Sequence, residues 1–188
     1  MDYKKLGLRV GLEIHKQIES HKLFCSCPSE LRDGKPDLEV KRVLRAVVSE
    51  TGEKDKVAEF EMSKGRYAIY QFYKDSCCLV ELDEEPCHPI NKDALKVALT
   101  VGKLLNCSFV DELVIMRKQV LDYSNTSSFQ RTGLYASNGY IKTKSGKFGI
   151  ENLWIEEEAA RIIKDEKDHV VYRLDRLGIP LIEIATAP

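Results

Sequence analysis

The sequence predicts an α+β fold, a largely antiparallel sheet with one main helix packed on it. Three observations carry this. Most of the chain alternates apolar and polar residues with a period of two, as strands with one buried face do. Only one stretch, "NKDALKVALTVGKLLNC", combines helical spacing with a capping residue. The strand-like stretches also follow one another across short turn signals instead of alternating with helices, which favours antiparallel pairing over βαβ units.

The elements follow in order. "LGLRVGLEIHKQI", residues 6–18, reads as a strand with Leu6, Leu8, Val10, Leu12 and Ile14 on one face; Gly7, Arg9, Gly11, Glu13, His15 and Gln17 take the other. A polar turn and "LFCSCPSEL" come next, and "DGKPDL" punctuates. "KRVLRAVVSE" reads as a strand, "TGEKDKVAEFEMSKG" as a charged hairpin, and "RYAIYQFYKDSCCLVELDEEP" as two strands about a turn at Lys74–Asp75. The helix is expected from about Asn91, its N-cap, to Cys107, with Leu95, Ala98, Leu99 and Leu105 on its apolar face. On that reading Leu99→Ala would cost ~2–5 kcal/mol. "ELVIMRKQVLDYSN" returns to strand, "TSSFQRTG" is a loop, and the rest is a meander with a turn at Ser145-Gly146.

Composition narrows the function classes. A net charge of −1 excludes a polycation, so any nucleic-acid contact must come from a local patch. No apolar run approaches the roughly 18 residues a membrane helix needs, and the N-terminus enters strand pattern without a signal-peptide core. A cytoplasmic protein without membrane contact is expected. Its 188 residues suit one domain. The six cysteines are then reduced thiols, most of them buried and inert. Cys25 and Cys27 form a C-x-C, but no C-x-x-C follows, so the spacing argues against zinc.

Chemistry could reside in three places beside the first strand. Glu13 and His15 share a strand face, which ordinarily means two solvated side chains; a metal or catalytic site needs partners from elsewhere. Glu183 sits inside the apolar run "IPLIEIATA", where a carboxylate must be paired, hydrogen-bonded or metal-bound. Arg173 and Arg176 are its nearest sequence candidates for pairing. Glu156-Glu157-Glu158 would ordinarily be a solvated turn or helix start, but alternation points Glu156 and Glu158 one way and Glu157 the other. Magnesium favours such carboxylate oxygens, and an imidazole in the set also admits manganese or zinc. "YSNTSSFQRTG", residues 123–133, is either a polar turn or a ligand loop rich in donors for phosphate or carboxylate. No phosphate-loop or dinucleotide fingerprint occurs.

The stretches "VGLEIHKQI", "LFCSCPSEL", "CCLVELDEEP", "VLDYSNTSSFQRTGLYASNGYI", "IEEEAARII" and "YRLDRLGIPLIEIATAP" together resemble the N-terminal catalytic cradle of the tRNA-dependent amidotransferase B/E family. The likeness runs from about Val10 to Pro188, with "SNTSSFQRTG" and "ELDEEP" in the archaeal E form more than the bacterial B form. It implies an enzyme that uses ATP to phosphorylate the γ-carboxylate of glutamate on tRNA(Gln) and then amidates it with ammonia. The partners implied are an asparaginase-like D subunit and the acceptor end of Glu-tRNA(Gln). By the same resemblance Glu13, His15, Glu156 and Glu183 hold magnesium and form the catalytic centre. Ser124, Asn125, Thr126, Arg131 and Arg176 are candidates for contacting ATP or the glutamyl end. The family's zinc-binding B subunits pair C-x-C with a later C-x-x-C, which is absent here, and Glu158 stands where many relatives have aspartate. Family members are several times longer, so residues 1–188 are expected to be an N-terminal part of the cradle, inactive in isolation. The alternative is a module that docks tRNA or a partner subunit without chemistry, or a B-type subunit of the same family.

Overall fold

The structure is a computed structural model that describes residues 2–3, 5–46, 48 and 52–188. Its elements are β1 (Glu13–Gln17), β2 (Leu38–Val43), α1 (Lys56–Ser63), β3 (Tyr67–Phe72), α2 (Lys92–Leu104), β4 (Ser108–Phe109), β5 (Ile115–Gln119), β6 (Phe129–Thr143), β7 (Gly146–Glu157), β8 (Arg161–Asp165), β9 (His169–Arg173) and β10 (Pro180–Thr186). The fold is α+β and mostly antiparallel, as expected. A six-stranded sheet runs β1-β10-β7-β6-β4, with β5 also paired to β6. A four-stranded sheet runs β2-β3-β9-β8, and its β3–β9 pair is parallel.

The main core lies on one face of the larger sheet. Leu153, Ile155 and Ile182 from β7 and β10 pack with Tyr135 and Ala136 of β6, with Leu23 and Phe24, and with Ala94 and Ala98 of α2. Asn91 caps α2 as predicted, its side-chain oxygen accepting from the backbone N–H groups of Asp93 and Ala94. The buried stripe of the helix, however, is Ala94, Ala98 and Gly102, while Leu99 is 41% exposed. Ala98 is buried as expected and Leu105 packs against the core, but Leu99 stands outside the contact, and the small residues let the helix backbone settle close to the sheet.

Other sequence expectations need correction. The first strand is only Glu13–Gln17, and Leu6, Leu8, Val10, Leu12 and Ile14 are all exposed. Their alternation therefore does not mark a buried face. The expected charged hairpin is the helix α1, started by Asp55, whose carboxylate accepts from the backbone N–H of Ala58. Only Ala58 of that helix is buried, so its sequence lacks the apolar periodicity that would reveal it. The strand predicted for 41–50 is β2, lying earlier, and positions 47 and 49–51 fall outside the described residues. After β3 the turn at Lys74–Asp75 is present, but "CCLVELDEEP" forms successive turns, not a second strand. Finally, "FQRTG" is not loop: it begins the long strand β6.

The turn feeding β10 is tightly held. Asp175 is fully buried and accepts hydrogen bonds from the backbone N–H groups of Arg32 and Arg176 and from the Arg161 guanidinium. Gly178 follows in a left-handed conformation at φ +87°, with the Glu81 side chain 3.5 Å from where a Cβ would stand. β10 therefore enters the sheet in a fixed register between β1 and β7.

Candidate functional site

Register places His15 of β1, Glu183 of β10 and Glu156 of β7 on the sheet face opposite α2. His15 lies directly across from Glu183, Glu183 across from Trp154, and Glu156 across from Thr132. Because side chains alternate, Glu156, two residues beyond Trp154, shares this face. His15 Nε2 is 3.1 Å from Glu183 Oε2. One ligand atom from each of His15, Glu156 and Glu183 lies within 4.8 Å of the others.

The three differ in exposure, and that sets their chemistry. The His15 side chain is 58% exposed and that of Glu183 14%, whereas Glu156 is only 3% exposed. Burial raises the Glu156 carboxyl above its ordinary range, and neighbouring Glu183 adds to this against the opposing pull of Lys118. Lys118 Nζ stands 3.5 Å from one Glu156 oxygen, and Gln130 Nε2 donates to the other at 3.2 Å. Two carboxylates are thus held together at the floor of a cleft of about 350 Å³ lined by Met116, Arg117, Lys118, Thr132 and Trp154. A divalent cation would offset that repulsion, and two oxygens with an imidazole are a donor set that magnesium or manganese accepts.

Glu13 is exposed and one pairing step away, opposite Ala185, and is not among the three converging side chains. It shares the face of His15, as does Gln17, whose amide donates to Glu158 at 3.0 Å.

A family model described as the GatB/GatE catalytic domain matches residues 8–188. The chain belongs to the GatB/GatE family. Over its whole length it is similar to proteins named as the E subunit of glutamyl-tRNA(Gln) amidotransferase, at 58% identity in Methanocaldococcus jannaschii, 54% in Methanosarcina acetivorans and 52% in Methanothermobacter thermautotrophicus. The chain spans 30% of the length of each of these relatives.

Within this GatB/GatE domain the proposed ATP contacts are placed differently from the carboxylate cluster. Arg131 points to the opposite face of β6, where its guanidinium meets Glu157 at 3.1 and 3.3 Å and its backbone N–H donates to the same carboxylate at 2.9 Å. Asn125, Thr126, Arg131 and Glu157 line a narrow recess there together with Glu81. Thr126 donates to the Glu81 carbonyl, Ser124 Oγ lies against Asn125, and Arg176 donates to the carbonyls of Ala159 and Ala160. Asn125 Nδ2 is buried without a partner.

Sequence reasoning missed Lys118 and counted Gln130 and Thr132 only as donors of a ligand loop, whereas all three hold or adjoin Glu156. Had residues 129–133 been read as strand, alternation alone would have put Gln130 and Thr132 on one face and Arg131 on the other. Lys118 carries no comparable signal. Among the described residues, no helix is long and apolar enough to cross a membrane.

Proposed function

We propose that this chain carries the centre at which a tRNA-dependent amidotransferase activates and amidates glutamate esterified to tRNA(Gln). The convergence of His15, Glu156 and Glu183 on one sheet face is the observation that supports it. The names of the relatives supply the substrate class.

A γ-carboxylate is a poor acyl donor because oxide is a poor leaving group. In the proposed sequence its oxygen attacks the γ-phosphorus of ATP, ADP leaves, and an acyl phosphate forms. Ammonia then attacks the acyl carbon, the C–O bond to phosphate breaks, and the amide loses a proton. Magnesium, when bound, would neutralise charge on the transferring phosphoryl group. His15, Glu156 and Glu183 would hold it, and Glu13, two residues before His15 on the same strand face, is proposed to assist them. Lys118 and Gln130 fix the Glu156 carboxylate, so the cleft is preorganised before substrate arrives. Ammonia would come from an asparaginase-like D subunit, and the acceptor end of Glu-tRNA(Gln) would enter the cleft. On the same reading the protein would work in the cytoplasm.

The test is phosphate transfer from γ-labelled ATP to Glu-tRNA(Gln) by an enzyme of the relatives' full length built on this segment. Glu183→Gln should abolish transfer while leaving tRNA affinity nearly intact. Turnover close to wild type would refute the assignment. Loss of tRNA binding together with turnover would favour a docking role for this face.

A further inference from the structure

Lys118 of β5 lines the carboxylate cleft, with its ammonium 3.5 Å from Glu156 Oε1. The other Glu156 oxygen accepts from Gln130, whose amide also donates to the Glu157 carbonyl at 3.0 Å. Gln130 is therefore held at two points. Lys118 is held at one: its side chain is 55% exposed, and among the described residues Glu156 is its only ion-pair partner. Arg117, the next residue on the strand, has its guanidinium over the Phe129 ring, 5.2 Å from the centroid. Lys118 is thus the loosely held cation of the cleft. We propose that Lys118 exchanges partners: its ammonium neutralises Glu156 until a divalent ion binds the His15–Glu156–Glu183 cluster, and then takes an oxygen of the phosphoryl group being transferred. The first half stands on the geometry of the cluster; the second rests on the phosphoryl-transfer reading.

Charge supports the first half. Gln130 keeps Glu156 Oε2, so Oε1 is the oxygen open to an ion, and Lys118 stands against it. An ion on Oε1 would sit about 2.1 Å from it, and the ammonium could then be no more than roughly 6 Å from the ion. Like charges at that range repel, and both compete for the lone pairs of one oxygen. Lys118 is the partner that yields. A divalent ion also draws on Glu183 and His15, whereas Lys118 pairs with Glu156 alone, and only Lys118 has solvent to move into.

Chemistry supports the second half. An ammonium is a compact charge with several donors on a flexible stem, which suits it to a phosphate oxygen. Phosphoryl transfer spreads charge over the equatorial oxygens, and a cation donating there lowers the barrier. A phosphoryl group at the cluster would lie beside Glu156, within the sweep of the Lys118 side chain. The exchange also sets an order. Lys118 is released only when the cluster is filled, so a donor for the phosphoryl group becomes free at the moment the site can use it.

Manganese titration of the chain, read by electron paramagnetic resonance, tests the exchange, because exchange and simple positioning of Glu156 predict opposite signs. Lys118→Met removes the competing charge and should tighten manganese binding at least about threefold. Lys118→Arg keeps the charge and should bind close to wild type. A misfolded variant does not gain affinity at one saturable site, so damage to the fold cannot imitate support. Weaker or equal binding in Lys118→Met, or binding equally tightened in Lys118→Arg, would overturn the exchange. In an enzyme of the relatives' full length, Lys118→Met should slow γ-phosphate transfer to Glu-tRNA(Gln) at least about tenfold at saturating magnesium, and Lys118→Arg should restore part of it. Undiminished transfer in Lys118→Met would overturn the phosphoryl contact and leave the transfer reading intact. No transfer by the wild type would instead refute that reading, and the phosphoryl contact with it.

Discussion

Glu157 sits back to back with Glu156 and meets the opposite environment. Arg131 donates to it from both its guanidinium and its backbone, yet burial outweighs these bonds and pushes its carboxyl up to about 7. The ordinary value, 4.5, is that of the unfolded chain. Between these values the unfolded state has released a proton that the folded state retains, so stability must fall as pH rises through this window. The expected contribution is ~3 kcal/mol, lost by about pH 7 and flat above it. Urea midpoints across that range should slope less in Glu157→Gln than in the wild type; parallel profiles would contradict this. The alternation of Glu156, Glu157 and Glu158 was legible in sequence, because a strand forces it. The partner of Glu157 was not, because a run of Ser, Thr, Asn and Gln resembles a turn, and only pairing with β5 and β7 makes residues 129–133 a strand.

At the scale of the element, α2 shows how apolar counting can misplace a core face. Its cap, its extent and its packing on the sheet could be read from Asn91 and the helical spacing. The face was read only in part: Ala98 and Leu105 do meet the core, but Leu99 does not, since leucine carries more apolar area than alanine or glycine while close approach favours the small residues. Leu99→Ala should therefore cost less than about 1 kcal/mol, as for other surface positions. Gly139 of β6 should be far less tolerant. A Cβ there would stand 2.2 Å from Cys107 Sγ and 2.6 Å from the Leu105 carbonyl oxygen, at the end of α2. Tyr140 donates its backbone N–H to that same carbonyl at 2.7 Å, so the helix end cannot simply move away. Gly139→Ala should cost ~1–3 kcal/mol by overpacking. Denaturant midpoints of the two variants check the order, and a larger loss for Leu99→Ala would reverse the account of the helix.

For the whole molecule, the class and the mostly antiparallel pairing followed from period-two patterning and sparse helical spacing. The division into two sheets did not, and neither did the parallel β3–β9 pair, which joins residues about a hundred positions apart. Such pairings depend on how sheets stack, and local patterning carries no record of it. The candidate site was legible for a related reason: Glu183 in an apolar run and the i, i+2 pair of Glu13 and His15 are local anomalies, and the family resemblance tied them together. Which of them converge is a matter of register, and β1 pairing β10 in the observed register brings His15, not Glu13, opposite Glu183. The central claim is that His15, Glu156 and Glu183 form one divalent-cation site. Manganese titration followed by electron paramagnetic resonance tests it most directly. The account predicts one saturable manganese site per chain, displaced by magnesium and lost in Glu156→Gln and Glu183→Gln. Absence of saturable binding, or binding of the same affinity in both variants, would contradict it.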